Sequence, residues 1–451
     1  MVSVLISTWG EPRLWDSVRY NLSGNSLPEP TKSSLPVILN YAYPKPEKVI
    51  LIVLDTVIKR LVPSYQDLRD SVEKYYRDFL SSLNVNVPVE IIIAPGVGKF
   101  KLDDGGLVEF QGFLSDFPAY VTFEVLRRLL QMGENDITVH LDLTHGINFM
   151  PSLTYAAVNE ALGCLAITRD IHLKVYNSEP HIRGVTTELN IHEVERRRIP
   201  PNIRNEALSP LRSKLLEPGL VSEKERVQVE NALYTTRLDE EDVKRLNAFL
   251  SSLINGLPLA YYTFYPDADL LELRLNNAVK IWLSQIKVYQ TQMGDAGQTA
   301  GKMVVQRLAR FRSEFVKCAI IWAASKALNH KRRDEVKLSD LENLRKKVFS
   351  KWMKINSMMS FDLEKVREDA QKCGLTLNDW TRLSELTRER YTPPRESILI
   401  RNFLAHSGLE RTLTYVRRQA GEILLSYDPN GLEVIFKACL RGLYREDAEK
   451  P

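Results

Sequence analysis

What this chain has little of narrows its reading first. Among 451 residues there are only four cysteines, Cys164, Cys318, Cys373 and Cys439, all far apart. No C-x-x-C pair occurs, so neither a zinc site nor a disulfide framework is indicated, and a reducing cytoplasm fits. Long hydrophobic runs are missing too. The longest, around Val49 to Leu54, stops at Asp55, well short of the ~20 residues that span a bilayer, so no membrane role is expected. The opening residues, Met1 to Ser7, carry no basic stretch and Trp9-Gly10 ends the run, which is unlike a signal peptide. There is no G-x-G-x-x-G and no Gly-Lys-Ser/Thr, which disfavours ordinary dinucleotide and P-loop folds. No internal repeat and no low-complexity tail is present.

Net charge is nearly balanced at +4, but it is unevenly spread. Residues 301–451 hold 30 Lys and Arg against 20 Asp and Glu, while the first 300 hold 31 against 37. The C-terminal part is therefore the better candidate for meeting a polyanion such as RNA. The clusters Lys331-Arg332-Arg333 and Arg345-Lys346-Lys347 read equally well as solvated faces.

The length allows two or three domains. The first half alternates strand and helix. Val2–Ser7, Val49–Leu54, Glu90–Ala94 and Ile137–Leu143 are short apolar runs, and helical patterns cover Tyr65 to Leu83, Leu114 to Gln131 and Leu153 to Leu162. That order predicts a parallel sheet with helices on both faces, Rossmann-like in architecture, because strands buried on both sides read as continuous apolar runs. His172–Tyr176 and Val185–Ile191 alternate with period two and predict a closing hairpin. A linker is placed at Glu193 to Pro201. Beyond it strand signals nearly vanish. Helices are expected over Glu240–Leu253, Leu270–Tyr289, Met303–Leu328, Leu338–Met353 and Leu363–Cys373, with a mobile loop over Gln290–Gly301. The expected organisation is 1–195 Rossmann-like α/β, 196–300 mainly helical linker or insertion, and 301–451 all-α. The aromatic run Tyr261 to Tyr265 reads as core, since nothing basic is interleaved with it.

The chemistry is expected in Ile400-Arg401-Asn402-Phe403-Leu404-Ala405-His406. Pro393-Pro394 signals a helix start, and Leu399, Ile400, Phe403 and Leu404 form an apolar stripe. Asn402 and His406, four apart, share a face. Arg401 sits roughly 140° round from His406 and flanks that face. RNA carries its own nucleophile, the 2′-OH. Cutting it needs a base near neutral pH, which an imidazole with pKa about 6.5 supplies. It also needs a cation on the crowded phosphate, which Arg supplies. Asn orients either group, and no metal is required. The plain alternative is a surface Arg and a capping or core His.

Open α/β sheets bind ligands beyond the carboxyl ends of their strands. After the first strand comes Ser7-Thr8-Trp9-Gly10, after the second Asp55-Thr56, after the third Pro95-Gly96-Val97-Gly98-Lys99. After the fourth comes Asp142-Leu143-Thr144-His145-Gly146-Ile147-Asn148, with Pro151 opening a helix. Gly146 permits a tight turn. Thr144, His145 and Asn148 offer donors and acceptors for phosphate or ribose, and Trp9 is a candidate for stacking on a base. Asp142 reads equally as a carboxylate capping its own loop, and His145 as a satisfied loop histidine.

R-N-F-L-A-H resembles the R-x4-6-H signature of HEPN ribonucleases. Together with D-x-T-H-G-x-N after a fourth strand and S-T-W-G after a first, it resembles the CARF–HEPN ribonucleases of type III CRISPR systems. The resemblance implies a CARF half binding cyclic oligoadenylate, a HEPN half cutting single-stranded RNA, and no cofactor. It implies Arg401 and His406 as catalytic with Asn402 supporting, and Thr8, Trp9, Gly10, Asp142, Thr144, His145, Gly146 and Asn148 as ring contacts. Lys99 is added on charge alone. Likeness to archaeal-type members favours cyclic tetra-adenylate. The resemblance also implies a homodimer, or an oligomer of dimers, with a composite nuclease site. Residues 200–300 match no part of it. A competing reading is a nucleotide-responsive regulator whose helical half binds DNA, which gives Arg401 and His406 no joint role. A third, compatible with the first, is slow degradation of the ring by the sensor itself, with Thr8 and Lys99 as suspects.

Overall fold

The structure is a computed structural model that describes residues 2–58, 60–103, 105–133, 135–203, 209–292, 301–372, 379–386 and 395–444. The Pro393-Pro394 helix start, Cys373 and most of the expected 290–301 loop lie outside these. The chain forms two compact units that are discontinuous in sequence. The first comprises Met1–Pro200, Lys214–Arg237 and Asn276–Val316, the second Pro201–Ser213, Leu238–Leu275 and Lys317–Pro451.

The first unit is built on an eight-stranded sheet. Its strands are β1 (Val2–Trp9), β2 (Arg19–Leu22), β3 (Asn25–Ser26), β4 (Lys48–Leu54), β5 (Val89–Ala94), then β8 (Asp136–His145), β9 (Asp170–Ser178) and β10 (Glu188–Arg198). The order across the sheet is β3-β2-β10-β9-β8-β1-β4-β5. The β9-β8-β1-β4-β5 block is wholly parallel, as the continuous apolar runs predicted. Val4, Leu5, Ile6, Ile50 and Leu51 have no exposure at all. Helices Tyr65–Ser82, Asp116–Leu130 and Met150–Leu165 fall where their periodicity placed them. The hairpin is also present, β9 antiparallel to β10. It runs through Arg198, so Glu193 to Arg198 are strand rather than linker and the connection begins at Pro200.

The middle region is mainly helical as expected, with helices Glu223–Tyr234, Glu240–Asn255, Pro258–Thr263 and Ala268–Ser284, but strands do not vanish beyond the linker. A second sheet, ordered β12-β13-β7-β6, joins β6 (Gly98–Lys101) and β7 (Leu107–Gln111) to β12 (Ile286–Gln292) and β13 (Gly301–Arg307). A separate two-stranded sheet pairs β11 (Leu216–Pro218) with β14 (Ala309–Phe311). The expected helix over Met303–Leu328 thus begins only at Ser313. Met303, Val305 and Arg307 alternate inward along β13. With an arginine on the inner face, that alternation does not read as hydrophobic.

Arg307 is there for a reason. Its guanidinium donates to Asp55 Oδ2 at 2.5 Å and to the Gly96 carbonyl at 2.8 Å. Asp55 also accepts from Tyr65 Oη and from the Gly96 amide, both at 2.8 Å. Arg307 and Asp55 are respectively 1% and 0% exposed along their side chains. The loops after β4 and β5 are therefore closed by a side chain about 250 residues away in sequence.

The second unit is mainly helical. Its helices include Glu240–Asn255, Pro258–Thr263, Leu338–Lys347, Met353–Lys372, Glu396–Ala405 and Leu432–Arg441. Tyr261, Tyr262, Phe264 and Tyr265 are all core. It is not purely α. A four-stranded sheet ordered β15-β18-β17-β16 contains the hairpin β17 (Thr414–Gln419) and β18 (Glu422–Tyr427), with β15 (Val336–Lys337) and β16 (Thr381–Arg382) at its edges. Ala420 and Gly421 turn it with φ of 51° and 82°, the two positive values a type I′ turn demands. Alanine at the first position hides the turn from sequence. Among the described residues no helix is long and apolar enough to cross a membrane.

Replacing Arg307 by Met leaves Asp55 buried without its cation, and a buried pair broken on one side typically costs about 3–5 kcal/mol. The denaturation midpoint of Arg307→Met should fall accordingly. An unchanged midpoint would show that the pair contributes nothing.

Candidate functional site

Two places collect the residues singled out by sequence. In the first unit, β8, β1, β4 and β5 are adjacent and parallel, so all four carboxyl-end loops share one sheet edge. The loops after β1 and β8 touch directly, with the Gly10 amide donating to the His145 carbonyl at 2.8 Å.

Within that edge the side chains differ from expectation. Trp9 is fully buried. It packs edge-on against Trp15 and Phe79, each at a centroid distance of 5.5 Å, and beside Tyr76. Stacking on a base is not open to it in this conformation. A large indole at the end of a central strand gains more from the core than from the loop. Thr8 and Asp142 also have no exposure, and Gly10 is buried. The Asp142 carboxylate accepts from Ser7 Oγ at 3.0 Å, Ser34 Oγ at 2.8 Å and the Thr144 amide at 3.0 Å. It organises its loop instead of facing a ligand. His145 stacks on Trp15 at 3.9 Å, and its Nε2 accepts from the Ser34 amide at 3.1 Å. A Cβ on Gly146 would lie 2.6 Å from Thr8 Oγ1 and 2.7 Å from Pro151 Cγ, so the glycine serves close packing.

What remains open to solvent is Asn148, with Thr144 and Gly146 part-exposed. Asn148 takes the left-handed conformation at φ 49°, which Asn tolerates better than most residues. Thr144 Oγ1 has no hydrogen-bond partner. Lys99 is exposed but lies on β6, in the other sheet, 3.9 Å from Glu109. The fold does not bring it into the β1 and β8 loops by strand adjacency. Sequence reasoning missed Trp15, Tyr20 and Ser34, which grip this loop from residues 15–34. No periodic signal marks that stretch.

In the second unit the helix Glu396–Ala405 ends where its signature ends. His406 is the C-cap, its amide donating to the Asn402 carbonyl at 2.9 Å. The chain then reverses. Ser407 has φ 49° and Gly408 φ 73°, and the Gly408 amide closes on the Phe403 carbonyl at 2.8 Å, the six-residue bond of a Schellman turn. Gly408 is required, since a Cβ would meet Tyr427 Oη at 3.0 Å and Leu257 Cβ at 3.1 Å.

Asn402 and His406 open onto a cleft of about 300 Å³ that is also lined by Asp362, Lys365, Asp369 and Glu410. Arg401 is exposed and outside the cleft lining, in keeping with its place beside the shared face. Asp362, on the helix Met353–Lys372, was missed by sequence. It sits one residue before the run read as helical, and nothing local marks it. Its Oδ1 lies 3.4 Å from His406 Nδ1 and its Oδ2 accepts from Ser407 Oγ at 2.7 Å. The hydrogen bond to Asp362 holds the His406 imidazole above its ordinary pKa. The cleft offers an exposed imidazole and an amide side chain, with Arg401 on the flanking exposed face of the same helix, residue types suited to acid–base phosphodiester chemistry.

Two histidines of the first unit are tuned the other way. Burial pushes both His140 and His145 down to about 4. A depressed imidazole contributes stability that is present above the unfolded pKa of about 6.5 and lost as pH falls toward 4, on the order of 2–3 kcal/mol per group. Asp116, raised to about 7 by burial, works in the opposite sense. Comparing the protein with His145→Gln between pH 7 and 4.5 isolates the histidine. The variant should lose less stability on acidification, and parallel losses would contradict the assignment.

Comparison with known proteins completes the picture. Residues 4–180 match the family described as CRISPR system endoribonuclease Csx1, CARF domain. Residues 353–430 match the corresponding HEPN domain. A curated protein of Methanocaldococcus jannaschii, the CRISPR system endoribonuclease Csx1, is 30% identical over 443 residues, covering 94% of this chain and 90% of its own length. With a parallel-sheet CARF unit, a helical HEPN unit and similarity running through both, the chain belongs to the Csx1 family of CRISPR-system CARF–HEPN endoribonucleases.

Proposed function

We propose that the protein is a metal-independent endoribonuclease for single-stranded RNA, switched on by a cyclic oligoadenylate, with cyclic tetra-adenylate favoured. The observation that carries this reading is the cleft joining Asn402 and His406 at the end of an R-x4-H helix, in a chain that also matches a CARF domain. His406 takes the proton from the 2′-OH or delivers one to the leaving 5′-oxygen. Arg401 steadies charge on the phosphate, and Asn402 orients the scissile group. The internal 2′-oxygen attacks, the P–O5′ bond breaks, and the product carries a 2′,3′-cyclic phosphate.

The ring is proposed to meet Asn148, Thr144 and Gly146 first, with Thr8, Gly10, Asp142 and His145 shaping the seat behind them. A two-fold symmetric ring suits a C2 homodimer, which presents the same loop twice across its axis. A composite nuclease site made by two copies accords with the apolar side chains left exposed on its two helices, Met353 at 83%, Phe361 at 72% and Ile398 at 46%. The ring activates only by binding the active arrangement of the two HEPN units better than the resting one.

His406→Ala should lose cleavage by about 10²-fold or more, the usual contribution of a positioned acid–base, while keeping ring affinity. Loss of both would mark His406 as structural. Asn148→Ala should show the converse, weaker ring binding with an intact fold. Tight ring binding without cleavage under any condition would leave the regulator reading in possession.

A further inference from the structure

We propose that Asp362 and Ser407 are positioning residues for His406, fixing the imidazole with Nδ1–H toward the protein and Nε2 free toward the cleft. This rests on the reading of His406 as a residue of RNA cleavage.

The first observation is where Ser407 stands. It occupies the position after the C-cap with φ 49°, a left-handed site that glycine usually fills where helices end this way. A serine there is strained, and backbone strain points to a requirement for the side chain. That side chain is fully buried, and its hydroxyl donates to Asp362 Oδ2 at 2.7 Å. The second observation is the carboxylate itself. Asp362 is only 7% exposed, and an ionised carboxylate can accept at both oxygens. With Oδ2 held by Ser407, Oδ1 faces His406 Nδ1 at 3.4 Å. Two consecutive residues of one turn thus grip one carboxylate. A ring flip would break the second contact without disturbing the first.

The third observation concerns the ring. Its side chain is 57% exposed, so it is not a core histidine satisfied for packing. One face is tethered and the other is free, which is the base-and-orienter geometry of acid–base sites. The other charged groups around it have partners of their own. From the following turn, Glu410 accepts from Thr412 Oγ1 and from the Thr412 and Leu413 amides, and Arg411 donates to Asp369 at 2.7 Å. From the Asp362 helix, Lys365 pairs with Asp369 at 3.3 Å. Asp362 is the carboxylate set against the imidazole. It favours the protonated ring, so neutralising it should move the His406 titration to lower pH.

The test uses the full chain with isotope-labelled histidine, the His406 ring signal being assigned by its loss in His406→Gln. Ring titration and the pH–rate profile of RNA cleavage, with saturating cyclic tetra-adenylate, are compared for the protein, Asp362→Asn and Ser407→Gly. The proposal expects the ring midpoint and the cleavage limb to shift together to lower pH in Asp362→Asn, with activity at pH 7 down on the order of 10- to 100-fold. Ser407→Gly eases the turn, so its thermal midpoint should hold or rise while activity falls. A ring titration unchanged in Asp362→Asn overturns the proposal, as does a uniform activity loss with no shift in profile. Cleavage that survives His406→Ala instead overturns the underlying nuclease reading, whatever Asp362 does to the ring.

Discussion

A carboxylate removed from water must be surrounded by donors, and this constraint organises every functional part of the chain. Asp142 draws Ser7, Ser34 and the Thr144 amide around itself and so shapes the loop after β8. Asp55 draws in Arg307, Tyr65 and the Gly96 amide, and with them the strands of the second sheet. Asp362 draws in Ser407 and His406 at the end of the Glu396–Ala405 helix. In each case a side chain that sequence reading treats as a possible ligand contact, or overlooks, is spent on holding backbone or the His406 imidazole in place. The residues left facing solvent, Asn148 and His406 above all, are the ones these frameworks present.

The two sites follow a common logic. At the edge formed by the loops after β1 and β8, strands far apart in sequence are locked together, and the exposed donors are few. At the proposed nuclease site, a helix stops abruptly at a Schellman turn, so that His406 stands at the lip of a cleft rather than on a smooth helical face. A single Arg and a single His per chain are sparse equipment for a phosphodiester. This is the physical argument for two copies meeting across an axis, and the exposed Phe361 and Ile398 are consistent with such a meeting.

Much of this was legible in the sequence. The parallel core strands announced themselves because a strand buried on both faces has no polar alternation, as at Val49 to Leu54. The signature helix was legible because Arg401, Asn402 and His406 are local. What was not legible depended on distance or on an exception. Met303 to Arg307 hid as a strand because its inner face carries an arginine. The β17–β18 hairpin hid behind alanine in a turn that asparagine or glycine usually marks. Ser34 and Asp362 act on residues 108 and 44 positions away, and no spacing rule reaches that far. Trp9 misled because an aromatic beside a loop looks like a stacking platform until its burial is known.

The central claim is that one chain couples a ring sensor to a metal-free ribonuclease. The measurement that tests it most directly is cleavage of single-stranded RNA by the purified protein in EDTA, with and without cyclic tetra-adenylate. The account predicts cleavage only when the ring is present, undiminished by the chelator. Cleavage at the same rate without the ring, or abolished by EDTA, would contradict it.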